Sequence, residues 1–255
     1  MSIYEGFTDF YVRGIWPEFS RKMAEILPGV LKRLEASPKS ILDVACGEGT
    51  FAVAQAKAGY KITGIDASSR MLKKAQEKAL KENLDIRFIL RDMRKLAFNE
   101  EFDLATCWFD SLNYLLETSD LEKTFAGVWH SLKAGGLFIF DMNTVYGLIS
   151  YSGVAVKYQK GFSFIQLSTP DAVVLNYPEY DFGTNIATWQ FTCFMREGDI
   201  WHRIDEIHCE RGYSLEEIES CFKKAGFTEL YRTGDLSNME ELKPESKRVW
   251  FVLRK

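Results

Sequence analysis

The sequence predicts a doubly wound α/β fold, interrupted late in the chain by an antiparallel β insert. Three observations carry this expectation. Between Ser40 and Asn143, short β-rich runs alternate with helical stretches, the rhythm of a parallel sheet covered by helices on both faces. The runs Ile62 to Ile65 and Leu137 to Phe140 are largely apolar, as strands buried on both sides should be. From about Tyr146 to Cys209 the helical punctuation stops.

The elements follow in order. Trp16 to Leu34 reads as an amphipathic helix interrupted near Pro28 and Gly29. A strand at Ile41 to Ala45 precedes a helix from about Thr50 to Ala58, and a strand at Lys61 to Ile65 precedes one from about Ser68 to Lys81. Strands at Ile86 to Leu90 and Leu104 to Trp108 come next, then a helix from about Asp120 to Leu132 and a strand at Leu137 to Asp141. Ile186 to Arg196 and Ile200 to Cys209 are rich in Thr, Ile, Phe and Trp and flank Glu197-Gly198-Asp199, which predicts a β-hairpin. Ser214 and Glu217 fit a capping box for a helix ending at Ala225, with Gly226 as its stop. Strand-like Phe227 to Arg232 and Arg248 to Leu253 follow. The chain thus divides into an N-terminal helical cap or lid (1–39), a core (40–143 and 213–255) and an antiparallel insert (144–212).

Composition narrows the partners. With 46% hydrophobic and 14% aromatic residues among 255, a large core can be buried. The 32 Lys+Arg against 36 Asp+Glu leave a net charge of −4, which disfavours a nucleic-acid partner, because nonspecific affinity for phosphate chains comes from basic residues. Met1 to Gly14 has no apolar core of a leader, and no apolar run approaches the ~18–20 residues that span a bilayer. Five scattered cysteines without a CxxC pair predict a reduced, cytoplasmic protein with neither a disulfide framework nor a structural zinc site.

The most informative stretch is Ile41-Leu42-Asp43-Val44-Ala45-Cys46-Gly47-Glu48-Gly49-Thr50. A buried strand ends in a glycine turn that opens a helix, where a ligand can approach the backbone and meet free N–H groups. Asp66 ends the next strand, about 19 residues after Gly47, close to the ~20 at which a carboxylate takes the ribose hydroxyls of a nucleoside. The less favoured reading is a cap for the helix starting near Ser68. Asp92-Met93 ends the third strand, so three strand ends present ligand-compatible groups to one crevice. Gly47 to Ala52 also satisfies a dinucleotide pattern superficially. Asp43 and Glu48, however, surround that turn with carboxylates, which repel a diphosphate and attract an ammonium. The preferred ligand therefore has a nucleoside end and a cationic amino acid end.

Asp43-Val-Ala-Cys-Gly-Glu-Gly resembles the first motif of class I S-adenosylmethionine-dependent methyltransferases. The resemblance continues through Gly64-Ile-Asp66-Ala-Ser, Arg91-Asp92-Met93-Arg94, Phe102-Asp103-Leu104 and Leu132-Lys-Ala-Gly-Gly136-Leu-Phe-Ile-Phe140-Asp, over most of the chain. On Thr106-Cys-Trp-Phe-Asp-Ser-Leu-Asn-Tyr-Leu115, Asp205-Glu206 with His208, and Tyr213-Ser-Leu-Glu-Glu217, the chain is similar to the small-molecule branch that includes amino-sugar N-methyltransferases. The resemblance implies a Rossmann-like, seven-stranded, mostly parallel sheet whose one antiparallel strand comes from the final hairpin. It implies S-adenosyl-L-methionine as cofactor, with the Gly47 and Gly49 loop, Ala45 and Cys46 under the methionine part. Asp43 and the carbonyl near Phe109 would hold the ammonium, Asp66 the ribose diol and Asp92 the adenine amino group, while Ala67, Met71 and Met93 complete the adenosine site.

The implied partner is a small-molecule acceptor methylated on N or O, with neither nucleic acid nor membrane involved and the protein a monomer or homodimer. In-line transfer needs chiefly alignment; a general base matters when the acceptor arrives protonated. Catalytic candidates are Tyr114, His202 and Glu206. Tyr114 stands where amino-sugar enzymes tend to carry histidine, and an ordinary phenol, with a pKa near ~10, is a poor base at neutral pH. His202, Glu206 and His208 share one face by period-two spacing, which the solvated face of an antiparallel sheet also explains. No metal site is expected, since His202 and His208 lack a third ligand. Acceptor-binding candidates are Asp110 and Asn113 after the fourth strand, Tyr11 and Trp16 near the N-terminus, and Trp189 in the insert, expected as an acceptor platform. The N-terminal aromatics Tyr4, Phe7, Phe10, Tyr11, Trp16 and Phe19 form either a water-excluding lid or a helix docked on the core. Two alternatives stand beside this reading: a nucleotide-dependent oxidoreductase, and a non-catalytic S-adenosylmethionine-binding or regulatory protein.

Overall fold

The computed structural model describes residues 4–152 and 164–255. Helices α1 (Thr8–Arg13) and α2 (Pro17–Arg33) precede β1 (Ser40–Val44), α3 (Thr50–Lys57), β2 (Lys61–Asp66), α4 (Ser69–Lys81), β3 (Arg87–Leu90), β4 (Phe102–Cys107), α5 (Thr118–Ser131) and β5 (Leu132–Asn143). Next come α6 (Val145–Tyr151), β6 (Phe164–Thr169), β7 (Ala172–Asp181), β8 (Ile186–Glu197) and β9 (Ile200–Arg211), then α7 (Leu215–Ala225), β10 (Thr228–Thr233) and β11 (Arg248–Arg254).

Seven strands form one sheet in the order β10-β11-β5-β4-β1-β2-β3, and β6 to β9 form a second, antiparallel sheet. Only β11 runs antiparallel to its neighbours, β5 and β10, within the larger sheet. Strand alternation sends side chains to two separate cores. Leu42 joins Phe125 of α5 and Phe222 of α7 on one face; Ile41 joins Leu27 of α2 and Phe51 of α3 on the other. A third cluster buries Phe7 and Phe10 against Val174, Ala187 and Phe191 of the smaller sheet. Phe7, Phe10 and Tyr11 therefore dock on the insert, a surface that the sequence does not offer them, whereas Phe19 packs on the core beside Phe109. Among the described residues, no helix is long and apolar enough to cross a membrane.

Two local expectations need correction. Helix α2 runs through Pro28 without interruption. Proline lacks the N–H that would meet the carbonyl four residues back, and Gln55 Nε2 of α3 donates to that Ala24 carbonyl at 3.0 Å instead. The region after Asn143 also contains a helix, α6, begun by Thr144, whose side chain accepts from the Gly147 N–H.

Gly49 begins α3 with φ of 81°, and a Cβ there would lie 2.7 Å from Ala75 Cβ of α4. Gly49→Ala is accordingly expected to cost about 2–3 kcal/mol in urea unfolding, from the left-handed backbone and overpacking together. Adding Ala75→Gly should recover the overpacking share in a double-mutant cycle. Strict additivity of the two substitutions would show that the close helix approach is unimportant.

Candidate active site

The carboxyl ends of β1 to β4 converge on a cavity of about 630 Å³, within the range of small-molecule sites. The register places Asp43 between Gly64 of β2 and Thr106 of β4. Asp43 is 2% exposed. One carboxyl oxygen accepts from Thr106 Oγ1 at 3.0 Å, and the other has no hydrogen-bond partner. Burial pushes its pKa up to about 8, because a carboxylate removed from water without a counter-charge favours its neutral form. An ammonium ion would supply what this oxygen lacks. Glu48, by contrast, already pairs with Lys78 of α4.

Gly47 has φ of 55°, and a Cβ built there would meet nothing within 4 Å, so the turn leaves open space facing the cavity. Its N–H donates to Asp66 Oδ2 at 2.8 Å, while Ser68 N–H donates to Oδ1 at the same distance. Asp66 thus ties the glycine turn to the start of α4. The Ala67 amide also bonds to it, and because a carboxylate offers about four acceptor sites, holding the turn and accepting from a ribose are compatible. Asp92 accepts from the backbone and guanidinium of Arg94, and this hydrogen bonding holds its carboxyl below the ordinary range.

Part of the cavity wall is aromatic, formed by Tyr4, Tyr11, Trp108, Phe109 and Tyr114. A continuous polar line leaves it. Tyr4 and Tyr114 hydroxyls are 2.8 Å apart, Tyr114 Oη lies 2.9 Å from His208 Nδ1, and His208 Nε2 lies 2.8 Å from Glu206. Burial raises the Tyr114 pKa well above the ordinary phenol value. The phenol therefore ionises even less readily at neutral pH than an ordinary tyrosine.

A family model described as a methyltransferase domain matches residues 41–136. Over 85% of each chain, the protein is 35% identical to a Geobacillus sp. (strain WCH70) protein provisionally named a methyltransferase. A solved S-adenosylmethionine-dependent methyltransferase from Clostridium acetobutylicum superposes with a TM-score of 0.85, at 26% identity and 98% coverage of both chains. The chain belongs to the class I S-adenosylmethionine-dependent methyltransferases. The fold is shared further afield by a cofactor-bound amino pentose methyltransferase from Micromonospora echinaspora, with TM-score 0.68, 16% identity and coverage of 100% and 98%. S-adenosylmethionine is the cofactor of this methyltransferase, and the oxidoreductase alternative falls.

Of the residues that sequence reading assigned to the cofactor, Asp43, Ala45, Cys46, Gly47, Asp66, Ala67, Met71, Asp92, Met93 and Phe109 line the methyltransferase cavity. Gly49 does not; its missing side chain serves the packing of α3 on α4. Tyr114 and Tyr11 line the cavity, and Trp16 supports Tyr11 from behind, rings stacked 6.0 Å apart. The other acceptor candidates are occupied elsewhere. Asp110 is buried in an ion pair with Arg248 at 2.7 Å. Asn113, fully buried, donates to the carbonyls of Asn143 and Arg211 and accepts from the Asn143 N–H, clamping the insert to the core. Trp189 donates to Glu210 at 2.9 Å inside the insert.

The catalytic candidates also divide. His202 lies exposed beside Glu197 at 3.6 Å, toward the hairpin end of β9, and does not line the cavity. Glu206 and His208 are not on a solvated face: His208 is 1% exposed, because the N-terminal segment covers that part of the sheet. Sequence reading placed Tyr4 only among lid aromatics and did not single out Arg248. Period-two spacing marked His208, but nothing in it distinguished the covered end of β9 from the open one.

Proposed function

We propose that this methyltransferase acts on N or O of a small-molecule acceptor held against the aromatic part of the cavity wall. The observation that carries this reading is closure by the N-terminal segment. Glu5 accepts from the Ser69 N–H at the start of α4 at 3.1 Å, and Glu206 accepts from the N–H groups of Tyr4, Gly6 and Phe7. The strap so anchored at both sides leaves about 630 Å³ for cofactor and acceptor together, a volume for a metabolite rather than a polymer.

When bound, S-adenosylmethionine supplies a methyl group on a sulfonium, already activated for displacement. The chain's part is to orient, exclude water and accept a proton. Asp43 fits the ammonium through its unpaired oxygen, Asp66 the ribose and Asp92 the adenine edge. The aromatic wall aligns the acceptor; His208, backed by Glu206, is the proton sink.

Calorimetry with S-adenosylmethionine and S-adenosylhomocysteine tests the cofactor site. Asp66→Ala is expected to weaken binding tenfold or more, about 1.4 kcal/mol, because it removes the ribose acceptor and frees the glycine turn. Failure of the folded protein to bind either compound would overturn these assignments. A panel of small amines and phenols, assayed for methyl transfer, tests the acceptor class. Cofactor binding with no transfer to any of them would favour the non-catalytic alternative.

A further inference from the structure

The polar line leaving the cavity has a direction. Glu206 accepts four hydrogen bonds: from Tyr4 N–H at 2.6 Å, Gly6 and Phe7 N–H at 2.9 Å each, and His208 Nε2 at 2.8 Å. Burial works against its charge, but the bonds from His208 and from the Tyr4 and Gly6 amides prevail and hold its carboxyl below the ordinary range. A carboxylate can only accept, so His208 carries a proton on Nε2, and in its neutral form, the one that can take up a proton, it presents Nδ1 as an acceptor. The Tyr114 hydroxyl, 2.9 Å away, must then donate to Nδ1. That commits the only proton of Tyr114, so Tyr4 donates in the 2.8 Å bond between the two hydroxyls. Every donor points toward Glu206, and the oxygen left with lone pairs free at the cavity end belongs to Tyr4.

We infer that Tyr4, carried on the N-terminal strap, is the catalytic residue that takes the acceptor's proton. As the acceptor N–H or O–H bond breaks, its proton passes to Tyr4 Oη, the Tyr4 proton moves to Tyr114, and the Tyr114 proton moves to His208 Nδ1. The two phenols end neutral, and an imidazolium faces the Glu206 carboxylate. Because Glu206 also accepts the strap's three amides, the group that anchors the relay is the group that docks its first member. The base is therefore complete only when the strap is closed. Gly6 permits that closure: a Cβ on it would lie 2.7 Å from Ile204 Cγ2 and 2.9 Å from Glu206 Oε2.

This inference rests on methylation of an acceptor that loses a proton, and its test separates the two. In histidine-15N NMR of the full chain bound to S-adenosylhomocysteine, with His208→Gln assigning the signal among three histidines, His208 should be protonated on Nε2. Its Nδ1 should show the shielding of a hydrogen-bond acceptor, lost in Tyr114→Phe and retained in Tyr4→Phe. Against any amine or phenol that the wild type methylates, Tyr4→Phe should lower kcat ~100-fold, with S-adenosylhomocysteine affinity unchanged within about twofold. Gly6→Val, which leaves Tyr4 intact but obstructs the strap, should lower kcat likewise. A proton on Nδ1 would reverse the line and overturn the proposal, as would a Tyr4→Phe enzyme with kcat near wild type. A wild type that transfers methyl to no member of the panel sinks the functional reading, and this inference with it.

Discussion

Arg248→Met is expected to lower stability by about 3–5 kcal/mol, the usual cost of stranding buried charges, and to abolish cofactor binding in the same step. Arg248 pairs with Asp110 at 2.7 Å and with Asp141, and its guanidinium lies over the rings of Phe19 and Phe109 at 4.7 and 5.6 Å. Asp141 in turn accepts from the N–H groups of Phe109 and Asp110 at 2.7 and 3.0 Å. Those two residues have φ of 59° and 52°, a left-handed conformation costly for non-glycine residues and kept only where the surroundings impose it. Without the guanidinium, two carboxylates face each other out of water, the turn loses its clamp, and Phe109 leaves the cavity wall. Urea unfolding and calorimetry with S-adenosylhomocysteine would read both effects. Adding Asp110→Asn should restore part of the stability by removing one stranded charge. An unchanged unfolding midpoint in Arg248→Met would show that the turn is held by other means.

This network also marks the limit of what the sequence reveals. Asp43, Gly47, Asp66 and Asp92 were legible because they end successive strands, and a doubly wound sheet brings strand ends to one edge whatever the intervening helices contain. Asp110 and Asn113 sit in the right loop, yet their side chains turn away to Arg248 and to the Asn143 and Arg211 backbone. Arg248 is 138 residues from Asp110; no local periodicity connects them, and only the antiparallel placement of β11 beside β5 does. The relay is a similar case. Period-two spacing put Glu206 and His208 on one face, but whether that face meets water depends on where the N-terminal segment docks. Its alternation of aromatics with Glu5 and Asp9 reads equally as a cap on the core. The structure shows Glu5 at the start of α4, Asp9 paired with Arg70 and Lys74, and Phe7, Phe10 and Tyr11 on the insert. Pro28 misled for a related reason, since the donor that replaces its missing N–H comes from Gln55 on another helix.

Cofactor binding should release a proton, and Asp43 should be its source. In the ligand-free protein, burial pushes the Asp43 pKa up to about 8, against about 3.9 in an unfolded chain. Below both values the carboxyl is protonated in either state. Between them the folded protein keeps a proton that the unfolded chain has lost, so stability falls as pH rises through this window. Above about 8 the loss is complete, amounting to a few kcal/mol at ~1.4 kcal/mol per unit of displacement. Asp43→Asn should remove that slope and be the more stable protein at pH 8, although its cofactor site is impaired. An ammonium set against the unpaired Asp43 oxygen reverses the preference, because an adjacent cation favours the ionised carboxylate. Binding near pH 6.5 should therefore expel up to about one proton, and affinity should rise with pH toward the free-state pKa. Calorimetry with S-adenosylhomocysteine in buffers of differing ionisation enthalpy measures the proton count directly, and the difference between wild type and Asp43→Asn isolates this residue from the ligand's own amine. Equal proton release by the two proteins would remove Asp43 from the ammonium site, and the stability slope would then be the only consequence of its burial.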